Sequence, residues 1–159
     1  MSKIYDLVII GGGPAGLSAG IYAGRAKMNT LIIEKGELGG QVNKTFDISN
    51  YPGSRNTNGP KLMSEMRAQA EDFKVKFMNG EVLEVSLYED IKEIKTDKGL
   101  VKGRSVIIAT GAAPRQLGFK GEEEFTGRGV AYCATCDGQF FEGLEVFVIG
   151  AGFAEIGRA

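Results

Sequence analysis

Apolar stretches and glycine-rich turns alternate over the first part of the chain. Residues 4–10 form a short apolar run that predicts a strand, and a helix is expected from about Pro14 to Ala26. A second apolar strand covers residues 30–33 and ends on Glu34. The order strand, helix, strand predicts a βαβ unit.

The middle of the chain combines one amphipathic helix with several short strands. Gly59 and Pro60 begin the helix, since proline suits the first helical position. Its apolar face, at helical spacing, consists of Leu62, Met66, Ala70 and Phe73. Further strands are predicted at 74–77, 82–87, 91–96 and 100–102, with a hairpin turn at 97–99 and a strand of buried type at 105–109.

The chain changes character near Pro114. Residues 115–130 are typical of loops, being rich in glycine and glutamate. A last apolar strand is predicted at 144–149 and runs into Gly150 and Gly152. A strand that leads into such a glycine turn is typical of the opening of a nucleotide-binding unit, which would be the second after the βαβ unit at the start of the chain.

Composition and charge exclude several classes of protein. The chain has 159 residues, 24 glycines that cluster in turns and a net charge of −1, without a basic stripe for nucleic acid. Residues 7–24 carry no charge, but six glycines and one proline among them favour a nucleotide-binding turn over a membrane helix. Asp6 and the glycines do not fit the apolar core of a signal peptide, so none is expected. We therefore expect a soluble, cytoplasmic protein with no membrane partner.

The turn after the first strand carries the strongest motif. Gly11, Gly13 and Gly16 fill the three positions of G-x-G-x-x-G. The first glycine makes the tight turn, the second lets the backbone approach a pyrophosphate, and the third lets helix pack on strand. Glu34, eighteen residues past Gly16, is placed to accept from a ribose hydroxyl. A tight βαβ turn without a ligand is the alternative.

A second glycine-rich loop is a candidate for contact with the same nucleotide. Residues 35–41 form a glycine-rich loop directly after Glu34, so a role at the cofactor is favoured over a simple surface turn. Residues 50–53 form a Pro-Gly turn. The strand at 105–109 ends in Thr110 and Gly111, small residues that can pass close to a nucleotide or simply end a strand.

The fold class follows from these elements. We predict an α/β fold of the dinucleotide-binding, Rossmann-like type, in three layers, with a mostly parallel sheet and a small antiparallel meander. Residues 1–114 are expected to form the first domain. Residues 115–159 are expected to begin a second dinucleotide-binding domain without completing it.

The remaining chemistry lies in the cysteines. The chain has no histidine, and its only cysteines are Cys133 and Cys136. A C-x-x-C pair favours a small redox disulfide. Half of a zinc site is the main alternative, although structural zinc takes four ligands, and two unreactive thiols are another. Asp137 is a candidate general acid for a leaving thiolate, or a helix cap.

With these motifs in order, the chain resembles the low-molecular-weight thioredoxin reductases. The matching segments are 11–16, Glu34 with 39–41, 50–53, 109–111 and 133–138. The resemblance implies an FAD-dependent oxidoreductase that passes electrons through a Cys133–Cys136 disulfide to thioredoxin, with Asp137 as proton donor. Either cysteine could face the flavin, and Cys136 is preferred. A homodimer is implied for the full-length family.

The resemblance also implies roles for the cofactor contacts. The FAD pyrophosphate would lie on Gly11, Gly13 and Gly16, and the adenosine ribose would bind Glu34. The adenine would contact Val82, and the flavin would lie near Gly40, Gln41 and Asn50. The ADP half would run along Ala109, Thr110 and Gly111, and Pro14, Ala15 and Lys35 would also contact the cofactor. Gly150 and Gly152 would begin the pyridine-nucleotide site.

The sequence departs from the family pattern in two ways. Family members are longer, so the 159 residues are expected to be an N-terminal portion. In a second G-x-G-x-x-G fingerprint, which Gly150 and Gly152 begin, Glu155 occupies the position that requires Gly or Ala, and this places NADPH use in doubt. The alternatives are a ferredoxin-dependent flavoprotein, a reductase of the alkyl hydroperoxide type, and a non-catalytic FAD-binding fragment.

Overall fold

The computed structural model describes residues 3–150, with side chains other than those of Thr135, Cys136 and Gln139. The chain divides into two compact units, Met1–Ala113 and Pro114–Ala159. No helix in the described range is long and apolar enough to span a bilayer.

The first unit follows the predicted alternation of strands and helices. Its elements are β1 (Ile4–Ile10), α1 (Pro14–Arg25), β2 (Thr30–Glu34), a 3₁₀ helix (Gly40–Lys44), α2 (Gly59–Asp72), β3 (Lys76–Asn79), β4 (Val82–Ser86), β5 (Lys92–Thr96) and β6 (Gly99–Ile108). Strand β3 begins two residues later than predicted, at Lys76 rather than Lys74. Lys74 has a φ of +65°, a left-handed conformation that a strand does not contain.

The six strands form one mixed sheet in the order β3-β2-β1-β6-β5-β4. β3, β2, β1 and β6 are parallel, and β6, β5 and β4 form an antiparallel meander. The predicted α/β class with a small meander is therefore confirmed. The two separate strands expected at 100–102 and 105–109 are wrong, because β6 is continuous from Gly99 to Ile108.

Gly103 explains how one strand serves both parts of the sheet. It pairs with Tyr5 of β1 on one side and with Lys92 of β5 on the other. A Cβ at this position would lie 2.8 Å from Cγ2 of Val8, closer than side chains pack. Sequence reasoning reads such a glycine as a break between strands, whereas here it permits close approach within one strand.

Hydrophobic residues of β1 are buried on both faces of the sheet. Leu7 and Ile9 pack in a cluster with side chains of α1 and α2, while Val8 and Ile10 pack in a second cluster with Ile94 of β5. Burial on both faces explains why β1 is a nearly continuous apolar run rather than an alternating one.

The α2 helix confirms most of its predicted apolar face. Leu62, Met66 and Ala70 are buried, and Met63 adds to them. Phe73 does not belong to the core, since it is 37% exposed. It occupies the C-cap position just past the end of the helix, so the helical spacing no longer governs its direction.

The second unit contains only short elements within its described residues. They are α3 (Glu122–Phe125), α4 (Ala134–Asp137) and a 3₁₀ helix (Gly138–Phe141). Between α3 and α4, the carbonyl of Phe125 accepts hydrogen bonds from the N–H groups of Arg128 and Val130, at 2.8 and 2.9 Å. These bonds hold a compact loop ahead of Cys133.

The strand predicted at 144–149 is not formed. Residues 145–150 have no regular secondary structure, and no strand within the described part of the chain pairs with them. Their apolar side chains are exposed, Phe147 by 86%. A strand needs a neighbour for its backbone hydrogen bonds, so apolar character alone does not produce one.

Candidate functional site

Gly11 and Gly16 are required by the protein itself. Gly11 has a φ of +108°, and its N–H donates to the carbonyl of Ile33 at 2.8 Å. A Cβ at Gly11 would overlap the carbonyl oxygen of Ala109, and a Cβ at Gly16 would overlap the carbonyl oxygen of Gly11. These glycines therefore allow strand β1, helix α1 and the end of β6 to meet.

Gly13 has a different environment. It is the N-cap residue of α1, with extended backbone angles of −75° and −174°, and Pro14 follows at the first helical position. A Cβ placed on Gly13 would have no protein atom within 4 Å. The first turn of a helix has N–H groups without acceptors inside the helix. Open space beside such a turn suits an anionic group.

The Glu34 carboxylate is held in place by two backbone donors. Oε2 accepts from the N–H of Gly12 at 2.8 Å, and Oε1 accepts from the N–H of Gly36 at 2.9 Å. Each carboxylate oxygen has a second lone pair, so both can still accept from a ligand hydroxyl. The side chain thus presents a fixed acceptor for a ligand hydroxyl at the end of β2.

Sequence reasoning missed Gly12, which fills an unrestricted position of the motif. A Cβ there would overlap Cδ2 of Leu38 and lie 3.1 Å from Cβ of Glu34. The Gly12 carbonyl also accepts from the N–H of Gly39 at 2.8 Å. The run of three consecutive glycines was the available signal.

A cleft of about 390 Å³ lies at the carboxyl ends of the parallel strands, where α/β sheets bind their ligands. Of the predicted site residues it brings together Gly11, Glu34, Lys35, Val82 and Thr110. Its other lining residues, which sequence reasoning missed, are Ile10, Ile33, Gly80, Glu81, Val85 and Ile108.

One exposed ion pair lies at the mouth of the cleft. Nζ of Lys35 lies 3.6 Å from Oε1 of Glu81, and both side chains are largely exposed. Such a pair contributes little to stability because solvent screens it. Among the described side chains that line the cleft, the Glu34 carboxylate is therefore the polar group that hydrogen bonds hold in place.

The other predicted cofactor contacts are dispersed. Gly40 lies beside the turn, since a Cβ on it would be 3.6 Å from Cα of Gly13. Gln41 follows in the 3₁₀ helix, and Asn50 is exposed in an irregular stretch. Neither of the two lines the cleft.

The end of β6 closes the turn from the other side. The N–H of Ala109 donates to the carbonyl of Ile10 at 2.7 Å, which continues the pairing of β6 with β1. Gly111 has a φ of +66° and open space around it. Of this segment, Thr110 faces the cleft.

In the second unit, Cys133 begins helix α4. Cys133 is the half-buried N-cap residue, and its carbonyl accepts from the N–H of Asp137 at 2.9 Å. Asp137 is the last residue of α4 and directly precedes the 3₁₀ helix Gly138–Phe141, so the helix-cap alternative for it stays a prediction. No cysteine among the described residues is a free thiol. The Cys136 side chain, Gly152 and Glu155 lie outside the described part, and Gly150 is exposed with a φ of +132°.

A buried carboxylate near Cys133 was not predicted. Glu122 is 4% exposed and accepts from the N–H groups of Leu117 and Gly118 and from the Tyr132 hydroxyl. The Leu117 N–H, foremost, and the Tyr132 hydroxyl lower the pKa of Glu122 below its ordinary value. The same bond, followed by burial, raises the pKa of Tyr132. The sequence gives no signal, because Glu122 opens a run of three glutamates.

Comparison with known proteins agrees with this geometry. The family model described as "Pyridine nucleotide-disulphide oxidoreductase" matches residues 5–155. The chain is 50% identical over 160 residues to a thioredoxin reductase of Peptoclostridium acidaminophilum. The alignment covers 100% of this chain and 51% of that relative.

Solved structures give the same picture. The thioredoxin reductase of Streptococcus pyogenes MGAS5005 is similar with 47% identity and a TM-score of 0.83, over 89% of this chain and 46% of that one. A ferredoxin-flavin thioredoxin reductase from Clostridium acetobutylicum is similar with 29% identity and a TM-score of 0.65, over 89% and 49%. The chain spans about half the length of these relatives.

Proposed function

We infer that this chain, which belongs to the pyridine nucleotide-disulphide oxidoreductase family, binds FAD and acts as the flavin- and disulfide-bearing part of a thioredoxin-disulfide reductase. The carrying observation is a pair of features at the β1–α1 turn: the open space at Gly13 and the fixed carboxylate of Glu34. Together they match the pyrophosphate and the ribose of one ADP moiety.

The cleft fits the adenosine half of FAD. Glu34 would accept from the ribose hydroxyls, and the first turn of α1, with Pro14 and Ala15, would face the pyrophosphate beside Gly13. Val82 and Thr110 line the same cleft. When bound, FAD supplies a two-electron carrier. The contacts of Gly40, Gln41 and Asn50 near the flavin rest on the family resemblance.

Cys133 and Cys136 would form the redox disulfide. Two electrons and two protons convert the S–S bond to two thiols. Attack by one thiolate on a thioredoxin disulfide gives a mixed disulfide, and the second cysteine then releases reduced thioredoxin and restores the Cys133–Cys136 bond. Asp137 would hold the proton for the departing thiolate. Support comes from the C-x-x-C spacing and from the absence of a free thiol among the described cysteines.

The electron donor has two candidates. NADPH is the electron donor that the family resemblance implies, and Gly150 and Gly152 would begin its binding site. Ferredoxin is favoured by the similarity to the Clostridium acetobutylicum protein, whose name includes it, and by Glu155 in the second fingerprint. We further propose that residues 1–114 and 115–159 belong to the FAD and pyridine-nucleotide domains, and that the protein is cytoplasmic and dimeric at the family's full length.

The cysteine chemistry can be tested directly on the chain. After treatment with dithiothreitol, Cys133 and Cys136 should each take one alkyl group, and after treatment with glutathione disulfide neither should. Mass spectrometry counts the groups, and metal analysis should find no zinc. One bound zinc ion per chain that protects both thiols would refute the redox function.

A further inference from the structure

A buried network holds the residue that precedes Cys133. Glu122 is the one buried side chain with a formal charge within residues 3–150. Its Oε1 accepts from the Leu117 N–H at 2.9 Å and from the Tyr132 hydroxyl at 2.7 Å, and its Oε2 accepts from the Gly118 N–H. Three donors around one buried carboxylate compensate its lost hydration.

The network closes a loop that ends at the proposed redox pair. From α3 the chain passes through Thr126, whose hydroxyl donates to the Glu122 carbonyl at 2.6 Å, and through the bridge between Thr126 and Val130. It returns at Tyr132 to the same carboxylate. The next residue is Cys133, the N-cap of α4. The Glu122 carboxylate therefore fixes both ends of the segment that leads into the cysteine.

We propose that Glu122 is a positioning residue for the Cys133–Cys136 pair, acting through the Tyr132 hydroxyl. The inference rests on the proposed redox function. Holding Tyr132 restricts the backbone at Cys133, and this restriction keeps the two sulfurs at a separation suited to the disulfide. Without it the reduced pair gains conformational freedom, and the equilibrium moves toward the dithiol.

Two substitutions separate hydrogen bonding from charge. Glu122→Gln keeps the size of the side chain, but its NH₂ group would face N–H or O–H donors that now lack an acceptor. Tyr132→Phe removes one hydroxyl, with its contacts to Glu122 and Thr126, and leaves the carboxylate and its amide donors unchanged. Glu123→Gln is the matched control, because Glu123 is exposed on the same short helix.

The experiment measures the equilibrium between each protein and glutathione buffers, followed by acid quenching, alkylation and mass spectrometry. Both Glu122→Gln and Tyr132→Phe should shift the constant toward the dithiol by about threefold or more, which is ~14 mV for a two-electron couple. The shift in the double variant should be smaller than the sum of the two single shifts, since both changes break the Glu122–Tyr132 hydrogen bond. Glu123→Gln should match the unsubstituted chain.

The outcomes distinguish this inference from the proposed function. If the unsubstituted pair does not interconvert with glutathione, the redox function itself fails. If the pair interconverts with the same constant in all variants, the positioning role is overturned and Glu122 serves stability alone. If Glu122→Gln shifts the constant and Tyr132→Phe does not, the effect is electrostatic and the proposal is equally overturned. Should Glu122→Gln not fold, the Tyr132→Phe result decides.

Discussion

Replacing Gly13 by valine should strongly weaken FAD binding while leaving the protein folded. The new Cβ would have no protein atom within 4 Å, and the backbone angles of −75° and −174° are open to any L-residue. The expected cost to folding is the weaker N-cap preference of an aliphatic residue, about 1 kcal/mol. Gly16→Ala, by contrast, would overlap the Gly11 carbonyl oxygen and should destabilise by about 1–3 kcal/mol or more.

The effect on the cofactor is much larger. Valine would fill the space in which we place the pyrophosphate and would keep it from the backbone N–H groups. Hydrogen bonds to a charged group contribute about 1.5–3 kcal/mol each. Loss of two such bonds weakens binding by about 3–6 kcal/mol, or roughly 10² to 10⁴ in the dissociation constant.

Two measurements on the same protein check this reasoning. Fluorescence titration with FAD gives the dissociation constant, and urea unfolding gives the free energy of unfolding. Ser18→Ala, on the exposed side of α1, is the control: it should leave FAD affinity unchanged and raise the free energy of unfolding by about 0.5 kcal/mol at most, through helix propensity. Normal FAD affinity in Gly13→Val, or release of FMN rather than FAD from the unsubstituted chain, would refute the assignment of the turn.

Three further predictions follow from the cleft, the sheet and the apolar segment 144–149. Glu34→Gln should weaken FAD binding at least about tenfold in the same titration, because its NH₂ would face the Gly12 or Gly36 N–H. The control Glu37→Gln, at an exposed position, should not weaken it. Equal FAD affinities of Glu34→Gln and the unsubstituted chain would contradict the ribose role. Gly103→Val should lower the free energy of unfolding by about 1–3 kcal/mol through overlap with Val8, and an unchanged urea midpoint would contradict it. The 159-residue chain should associate through segment 144–149, whose large apolar side chains are exposed, in sedimentation experiments. A chain that stays monomeric at all concentrations would contradict this expectation.

The local elements were accessible to sequence reasoning because their signals are local. β1, α1 and β2 lie where the apolar periodicity and the glycine turn predicted them. The residue-level assignment of cofactor roles stays a prediction, although five of those residues line one cleft. The strand at 144–149 failed because apolar composition measures a tendency to be buried, whereas a strand also requires a partner.

The sequence by itself determined the order of the elements, the α/β class, the glycine turn with its acid and the cysteine pair, since each is written in neighbouring residues. Only the tertiary structure decided which glycines are required by backbone contacts and which one borders open space. Gly11 and Gly16 differ from Gly13 in the atoms that the folded chain brings near them. It also decided that Gly12 holds Glu34 across 22 residues and that Glu122 holds Tyr132 across ten. Hydrogen bonds between distant residues form only when packing has already placed their donors and acceptors, and no local pattern encodes that placement.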